Sequence, residues 1–191
     1  MPRPRSKTRR NTAAVPGHSL FFAIVPAPQE AASIAAFGER MNSQHALKAA
    51  LVAAQRLHVT LFDLGDYEEL PADKVVRASK AAASVPAPAF DIVFEKAMSF
   101  AKGALALCAD DEEGVRPLKA FRQRLGEALA DAGLKPARSF TPHMTLAHAR
   151  RKLERHSLDE PVRWPAGSLV LIDSHLGEDV HEVLGRWPEA A

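Results

Sequence analysis

A histidine two residues ahead of a threonine occurs twice in this 191-residue chain, each time with leucine next: His58-Val59-Thr60-Leu61 and His143-Met144-Thr145-Leu146. In an extended strand, residues i and i+2 project to the same face. His58 therefore points with Thr60 and His143 with Thr145, while Val59 and Met144 turn to the opposite, packed face. Two imidazoles and two hydroxyls brought to one cleft suit a phosphodiester. Each hydroxyl can donate to a nonbridging phosphoryl oxygen. An imidazole titrates near neutral pH, so one ring can take a proton from an attacking water while the other, protonated, serves the departing ribose oxygen. Hydrogen bonds to the phosphoryl oxygens also meet the charge that develops in the transition state. This pair calls for no metal ion and no cofactor. A lone His-x-Thr is a weak signal, because a histidine that opens a strand usually packs or caps. Two copies at corresponding places carry more, the plain alternative being a pair of structural histidines left by an old duplication.

The elements supply those corresponding places. Residues 20–25 read as a buried strand stopped by Pro26 and Pro28. Residues 29–41 read as a helix with Ile34, Phe37 and Met41 on one face. A strand over 58–64 follows. Residues 71–84, opened by Pro71, read as a helix, and residues 89–100 as a strand. The second half repeats the order: a strand over 103–109, then a helix striped by Leu118, Phe121, Leu125 and Leu129, with Asp110 and Asp111 as caps and Gly133 as stop. A strand over 140–147 carries the second motif. Strands over 168–176 and 181–187, joined by Gly177-Glu178-Asp179, close the chain. The two motif histidines stand 85 residues apart, each after a strand and a helix. The fold class expected is α+β, bilobal, with two pseudo-twofold-related lobes of antiparallel sheet and helices around a central cleft.

Composition narrows the setting. The hydrophobic fraction of 47% suits one globular core, and no apolar run approaches a membrane span. Cys108 is the single cysteine, so no disulfide framework is expected; a buried thiol and a cytoplasmic setting are. Arg3, Arg5, Lys7, Arg9 and Arg10 fall in an opening stretch without acids, and setting them aside leaves 20 basic against 23 acidic residues. Residues 1–18 thus read as a disordered basic arm and 19–191 as one bilobal domain. The arm offers salt-sensitive attraction to nucleic acid, or is simply a solvated tail.

The motifs and their surroundings resemble the two-histidine phosphoesterases, in particular the RNA 2′,3′-cyclic phosphodiesterase group, also called 2′-5′ RNA ligase or LigT-like proteins. The resemblance runs over residues 19–187. It includes Leu20-Phe21-Phe22-Ala23-Ile24, Leu57-His58-Val59-Thr60-Leu61 with Leu64-Gly65, Phe140-Thr141-Pro142-His143-Met144-Thr145-Leu146, Ser174-His175-Leu176-Gly177 and Leu184-Gly185-Arg186-Trp187. It implies a bilobal cleft fold without metal, hydrolysis of a 2′,3′-cyclic phosphate to a 2′-phosphomonoester, and in some members a reversible 2′-5′ RNA linkage. By that analogy His143 activates water and His58 protonates the leaving 3′-oxygen. The implied partner is RNA or an oligonucleotide with a 2′,3′-cyclic phosphate; no membrane partner is expected, and a monomer is.

Two matching positions depart from the family pattern. Many members carry Phe five residues after the first motif histidine and Arg five after the second; here these are Asp63 and His148. Arg150 or Arg151 can substitute as the phosphate-contacting guanidinium, or Arg150-Arg151-Lys152 is a solvated run. His148 reads as a polar residue of the cleft rim. His18, His45, His156, His175 and His181 show no ligand spacing with acids or one another, so zinc is not expected. Arg116, Lys119 and Arg122 share a helix face that reads as solvated, with an RNA-tracking role as the alternative. Phe62, Trp164 and Trp187 read as packing residues. No glycine-rich phosphate loop supports an ATP-dependent reaction. Within this reading the alternatives are hydrolysis of linear 2′-5′ oligonucleotides or another cyclic phosphodiester, and a non-catalytic module that binds RNA ends.

Overall fold

The computed structural model describes residues 17–100, 103–109, 112–135, 137 and 139–188. The basic arm and the expected caps Asp110 and Asp111 lie outside these residues. Strand β1 (His18–Val25) leads through Pro28, at the first turn where its missing N–H costs nothing, into α1 (Pro28–Gln44). Ala31, Ile34, Gly38 and Met41 form the buried face of α1. A two-residue strand β2 (Ala50–Leu51) and a 3-10 turn at Ala54–Arg56 precede β3 (Val59–Tyr67). Helix α2 (Ala72–Ala83), β4 (Asp91–Ser99) and β5 (Ala104–Cys108) follow. Helix α3 (Glu112–Asp131) buries Val115, Leu118, Phe121, Leu125 and Leu129 and ends at Gly133, whose φ of 74° suits glycine. Strands β6 (His143–His148), β7 (His156–Pro165), β8 (Ser168–His175) and β9 (Val180–Trp187) complete the described chain.

The strands form two antiparallel sheets whose order matches. From the motif strand outwards, the first runs β3-β1-β8-β9 and the second β6-β5-β4-β7, with β2 added outside β6. In each, the motif strand pairs with the strand that precedes its helix, β3 with β1 and β6 with β5. The expected pseudo-twofold is thus visible in the topology. The helices tie the two sheets together. Helix α1, which follows β1, packs on β6, and a Cβ at its Gly38 would lie 3.5 Å from Leu146. Helix α3, which follows β5, packs on β4 and α2 and reaches β3, where a Cβ at Gly126 would lie 3.0 Å from Phe62. One hydrophobic cluster runs through both sheets and all three helices.

Three differences from the sequence reading have local causes. Strand β1 begins at His18, two residues early and inside the stretch assigned to the arm, because His18 pairs with both Tyr67 and His175. Strand β3 continues through Gly65, at φ 114°, instead of stopping there. Strand β7 was not foreseen: Asp159, Glu160 and Pro161 interrupt its pattern. It is a sheet edge, and its register jumps from Lys96↔Ser157 to Phe94↔Val162, leaving Pro161 in an irregularity where no donor is required. Among the described residues, no helix is long and apolar enough to cross a membrane.

Candidate active site

Both motif strands carry the same irregularity at the same place. On β3, Thr60 pairs with Ala23 but Phe62 with Phe22, so Leu61 is an extra residue. On β6, Thr145 pairs with Ala106 but Ala147 with Leu105, so Leu146 is the extra one. Each bulge sends two consecutive side chains into the core, Leu61 with Phe62 and Leu146 with Ala147, all nearly fully buried. It also resets the alternation. Asp63 pairs with Phe21 and His148 with Ala104, on the same faces as Thr60 and Thr145 respectively. In a regular strand an offset of five from the histidine would face the core; here both positions face the cleft side. Val59 and Met144 are fully buried, as alternation predicts.

The two histidines are held alike. His58 Nδ1 lies 2.7 Å from the Arg56 carbonyl, and His143 Nδ1 lies 2.8 Å from the Thr141 carbonyl. A carbonyl only accepts, so each Nδ1 carries the proton of the bond and each neutral ring keeps its lone pair on Nε2. Each ring also leans on a phenyl group: His58 on Phe21 of β1 at 5.2 Å and His143 on Phe100, just past the end of β4, at 4.9 Å, at 31° and 39°. Strands β3 and β6 meet at the junction of the sheets. Burial pushes the His58 pKa below its ordinary value, the Arg56 carbonyl partly opposes this, and the nearby charges of His143 and Arg56 lower it further.

The family model of the 2′-5′ RNA ligase superfamily matches residues 26–178. The chain belongs to this superfamily. A search of curated proteins finds no match. Among solved structures, a protein described as a phosphoesterase superimposes with a TM-score of 0.71 at 23% identity, covering 91% of this chain and 98% of that one. Escherichia coli LigT complexed with 3′-AMP gives 0.70 at 23% identity, covering 89% and 97%. The MHV ns2 PDE domain gives 0.54 at 22% identity, covering 84% and 99%. These likenesses establish the LigT-like α+β fold, and the superfamily and fold together support two-histidine phosphoesterase activity.

Within this superfamily member, the His58 side of the cleft holds more than the motif announced. A cavity of about 690 Å³ is lined by His58, Arg56, Ser168, His181, Val183 and Arg186, among others. Its floor continues into a small apolar cluster of Phe21, Ala23, Val170 and Ile172, separate from the main core. His181, from β9, packs 5.4 Å from the His58 ring and 5.7 Å from Phe21. Burial together with the charges of His58 and Arg56 holds its pKa down at about 4, against a smaller opposing pull from Asp179. Arg56 donates to Asp179 at 2.6 Å, and its Nε is buried without a hydrogen-bond partner. Sequence spacing could not find His181, since only the β8–β9 pairing delivers it to His58.

Other expected residues divide. Thr60 and Thr145 are half-buried on the cleft faces, and His148 is exposed on the same face as Thr145. Arg150 is exposed just past the end of β6, while Arg151 is turned to the His45 carbonyl. Arg122 corrects the solvated-face reading. It donates to the carbonyls of Leu61, Ala137 and Ser139 and lies over the rings of Phe62 and Phe140 at 4.2 and 4.6 Å. Cys108 and Trp164 are buried and Trp187 is half-buried. A larger cavity of about 830 Å³ between α1 and β7 contains neither motif.

Proposed function

We propose that this chain hydrolyses RNA 2′,3′-cyclic phosphodiesters to 2′-phosphomonoesters with His58 and His143 as its acid–base pair, without a metal ion. The observation that carries this reading is the matched pair of Nδ1–carbonyl bonds, which leaves two Nε2 atoms free on facing motif strands. In the hydrolytic direction His143 Nε2 accepts a proton from water as the water oxygen bonds to phosphorus. The bond from phosphorus to O3′ breaks, and His58 Nε2 delivers the proton that O3′ needs. Thr60 and Thr145 donate to the nonbridging oxygens, and Arg150 supplies a guanidinium from the end of β6. With a 5′-hydroxyl in place of water, the same displacement, P–O5′ forming as P–O3′ breaks, joins two strands by a 2′-5′ linkage. The low proton affinity of free His58 is compatible with an acid role because a bound phosphate anion favours the protonated ring. E. coli LigT has been crystallised with 3′-AMP, ATP, NADP+ and phosphate, which is in keeping with a nucleotide-sized site.

Asp63 and His148 favour a second reading of the substrate. They stand at the cleft positions where many relatives have Phe and Arg, so what lies beyond the phosphate differs here. A linear 2′-5′ oligonucleotide is the alternative substrate under the same chemistry.

The test is turnover of an RNA dinucleotide ending in a 2′,3′-cyclic phosphate, with EDTA present. The wild type should release the 2′-phosphate, and His58→Ala and His143→Ala should each lower turnover by about 10²–10⁴-fold while the fold is kept. Tight binding of the dinucleotide without conversion would instead point to an RNA-end-binding module.

A further inference from the structure

On the opposite face of the first sheet from the cleft, strand pairing gathers residues that the sequence scatters. His18 pairs with His175, and Asp173 pairs with both Leu20 and Glu182. His18 and Asp173 are 155 residues apart in the chain, yet His18 Nδ1 lies 2.8 Å from Asp173 Oδ2. His175 Nε2 lies 3.3 Å from the same oxygen and 3.4 Å from Glu182 Oε2. We propose that His18, Asp173, His175 and Glu182 form a binding site for one divalent transition-metal ion of the zinc class.

Two observations carry this beyond an ion-pair network. Asp173 is only 1% exposed, and its Oδ1 has no hydrogen-bond partner; the buried His175 Nε2 likewise makes no hydrogen bond despite two carboxylate oxygens nearby. The carboxylate is bonded through Oδ2 alone, and a buried carboxylate oxygen and a buried ring nitrogen without hydrogen bonds are costly unless something else satisfies them. The spacing says what that is. Four ligands at the Zn–N and Zn–O distances of about 2.0–2.2 Å stand about 3.3–3.5 Å from one another in a tetrahedron. Two of the three measured separations, 3.3 and 3.4 Å, are tetrahedral edges. The third, 2.8 Å, would open by roughly half an ångström once a cation replaced the shared proton. One ligand atom each from His18, Asp173 and His175 already fits within 4.8 Å; Glu182 lies outside that group, against His175, and its exposed side chain would have to rotate in to complete the set. Imidazole and carboxylate ligands suit zinc, cobalt or nickel better than calcium or magnesium.

Such an ion would act as a clip. It joins the starts of β1 and β9 to the end of β8, with ligands on either side of the turn whose Asp179 holds Arg56 and of His181, which packs on His58. It takes no part in the proposed bond breaking.

The full-length chain, stripped of metal and dialysed, is titrated with Co2+ and then Zn2+. One cobalt per chain with the visible bands of a four-coordinate nitrogen–oxygen site is expected, displaced by zinc, with a higher thermal midpoint in the zinc form. Glu182→Gln, at an exposed position, and His175→Gln should each weaken binding at least tenfold, while His58→Ala and His143→Ala leave it unchanged. Absence of stoichiometric binding in the wild type would overturn the proposal. So would binding that survives His18→Gln with His175→Gln but is lost with the motif histidines.

Discussion

At the scale of single residues, the informative feature is that His58 and His181 are two imidazoles packed together under one guanidinium. In the proposed mechanism His58 must carry a proton to serve O3′, yet burial and its charged neighbours hold its pKa below 6.5 in the free protein. The limb on which kcat/KM falls with rising pH should therefore lie below that value. The kcat limb should lie higher, because bound phosphate favours the imidazolium. Arg56→Met removes a charge that lowers His58 but keeps the backbone carbonyl bonded to Nδ1, so the kcat/KM limb should move to higher pH. An unmoved limb would assign it to another group. His181 bears on stability. Its folded pKa, about 4, is below the 6.5 of an ordinary histidine, so the unfolded chain takes up this proton more readily. The neutral ring costs nothing above pH 6.5, and stability is lost as pH falls from there towards 4. His181→Asn should remove on the order of 1–2 kcal/mol of that acid sensitivity, since solvent screens a half-buried ring. Urea midpoints measured from pH 7 to pH 4 for both proteins check this.

At the scale of elements, the paired bulges and Arg122 hold the two motifs in register. Alternation alone places His58 with Thr60 and His143 with Thr145, and those readings needed only the sequence. The helices were legible too, from Ile34 and Met41 in α1 and from the Leu118-to-Leu129 stripe in α3. What alternation cannot show is where it breaks. Two consecutive apolar residues, Leu61-Phe62 and Leu146-Ala147, are the trace each bulge leaves, but that trace is indistinguishable from a buried strand run. Strand β7 was hidden because an edge with Asp159, Glu160 and Pro161 has no apolar period to read. The metal-ligand cluster and His181 depend on pairings between distant strands. Arg122 looked solvated because its polar partners are backbone carbonyls from other elements. It bonds Leu61 inside the first motif and Ala137 and Ser139 ahead of the second, between Phe62 and Phe140. Arg122→Ala should cost roughly 1.5–3 kcal/mol of stability, the range for hydrogen bonds to a charged group. It should lower kcat more than it changes KM, because misplaced histidines hurt the transition state first. Arg122→Lys should restore little, since a single ammonium cannot bridge three carbonyls from the same place. A pure KM effect would mean that Arg122 touches substrate instead.

At the scale of the molecule, helices that touch both sheets predict that the two lobes unfold as one unit. Helix α1 follows β1 but packs on β6, and α3 packs on β4 while its Gly126 meets Phe62 of β3, so losing either helix exposes core of both sheets. The continuous cluster through both sheets says the same in terms of burial. A cleft whose walls cannot separate would keep His58 and His143 opposed, as the proposed acid–base pair requires, whereas two independently stable lobes would let the gap breathe. The tryptophans allow a direct test. Trp164 is buried on β7 in the second sheet, beside Phe94 at 5.4 Å, and Trp187 lies on β9 in the first, near Phe22 at 6.1 Å. In Trp187→Phe, fluorescence reports the second sheet alone, and its urea transition should coincide with far-UV circular dichroism. Phe22→Ala added to that background removes a fully buried ring from the first sheet, at an expected cost of about 3–5 kcal/mol. Interlocked lobes must pass the whole of that loss to Trp164, moving its midpoint with the dichroism. If the Trp164 midpoint stayed in place while the dichroism split into two steps, the sheets would be separate cooperative units. The rigidity of the cleft would then have to come from the bound substrate.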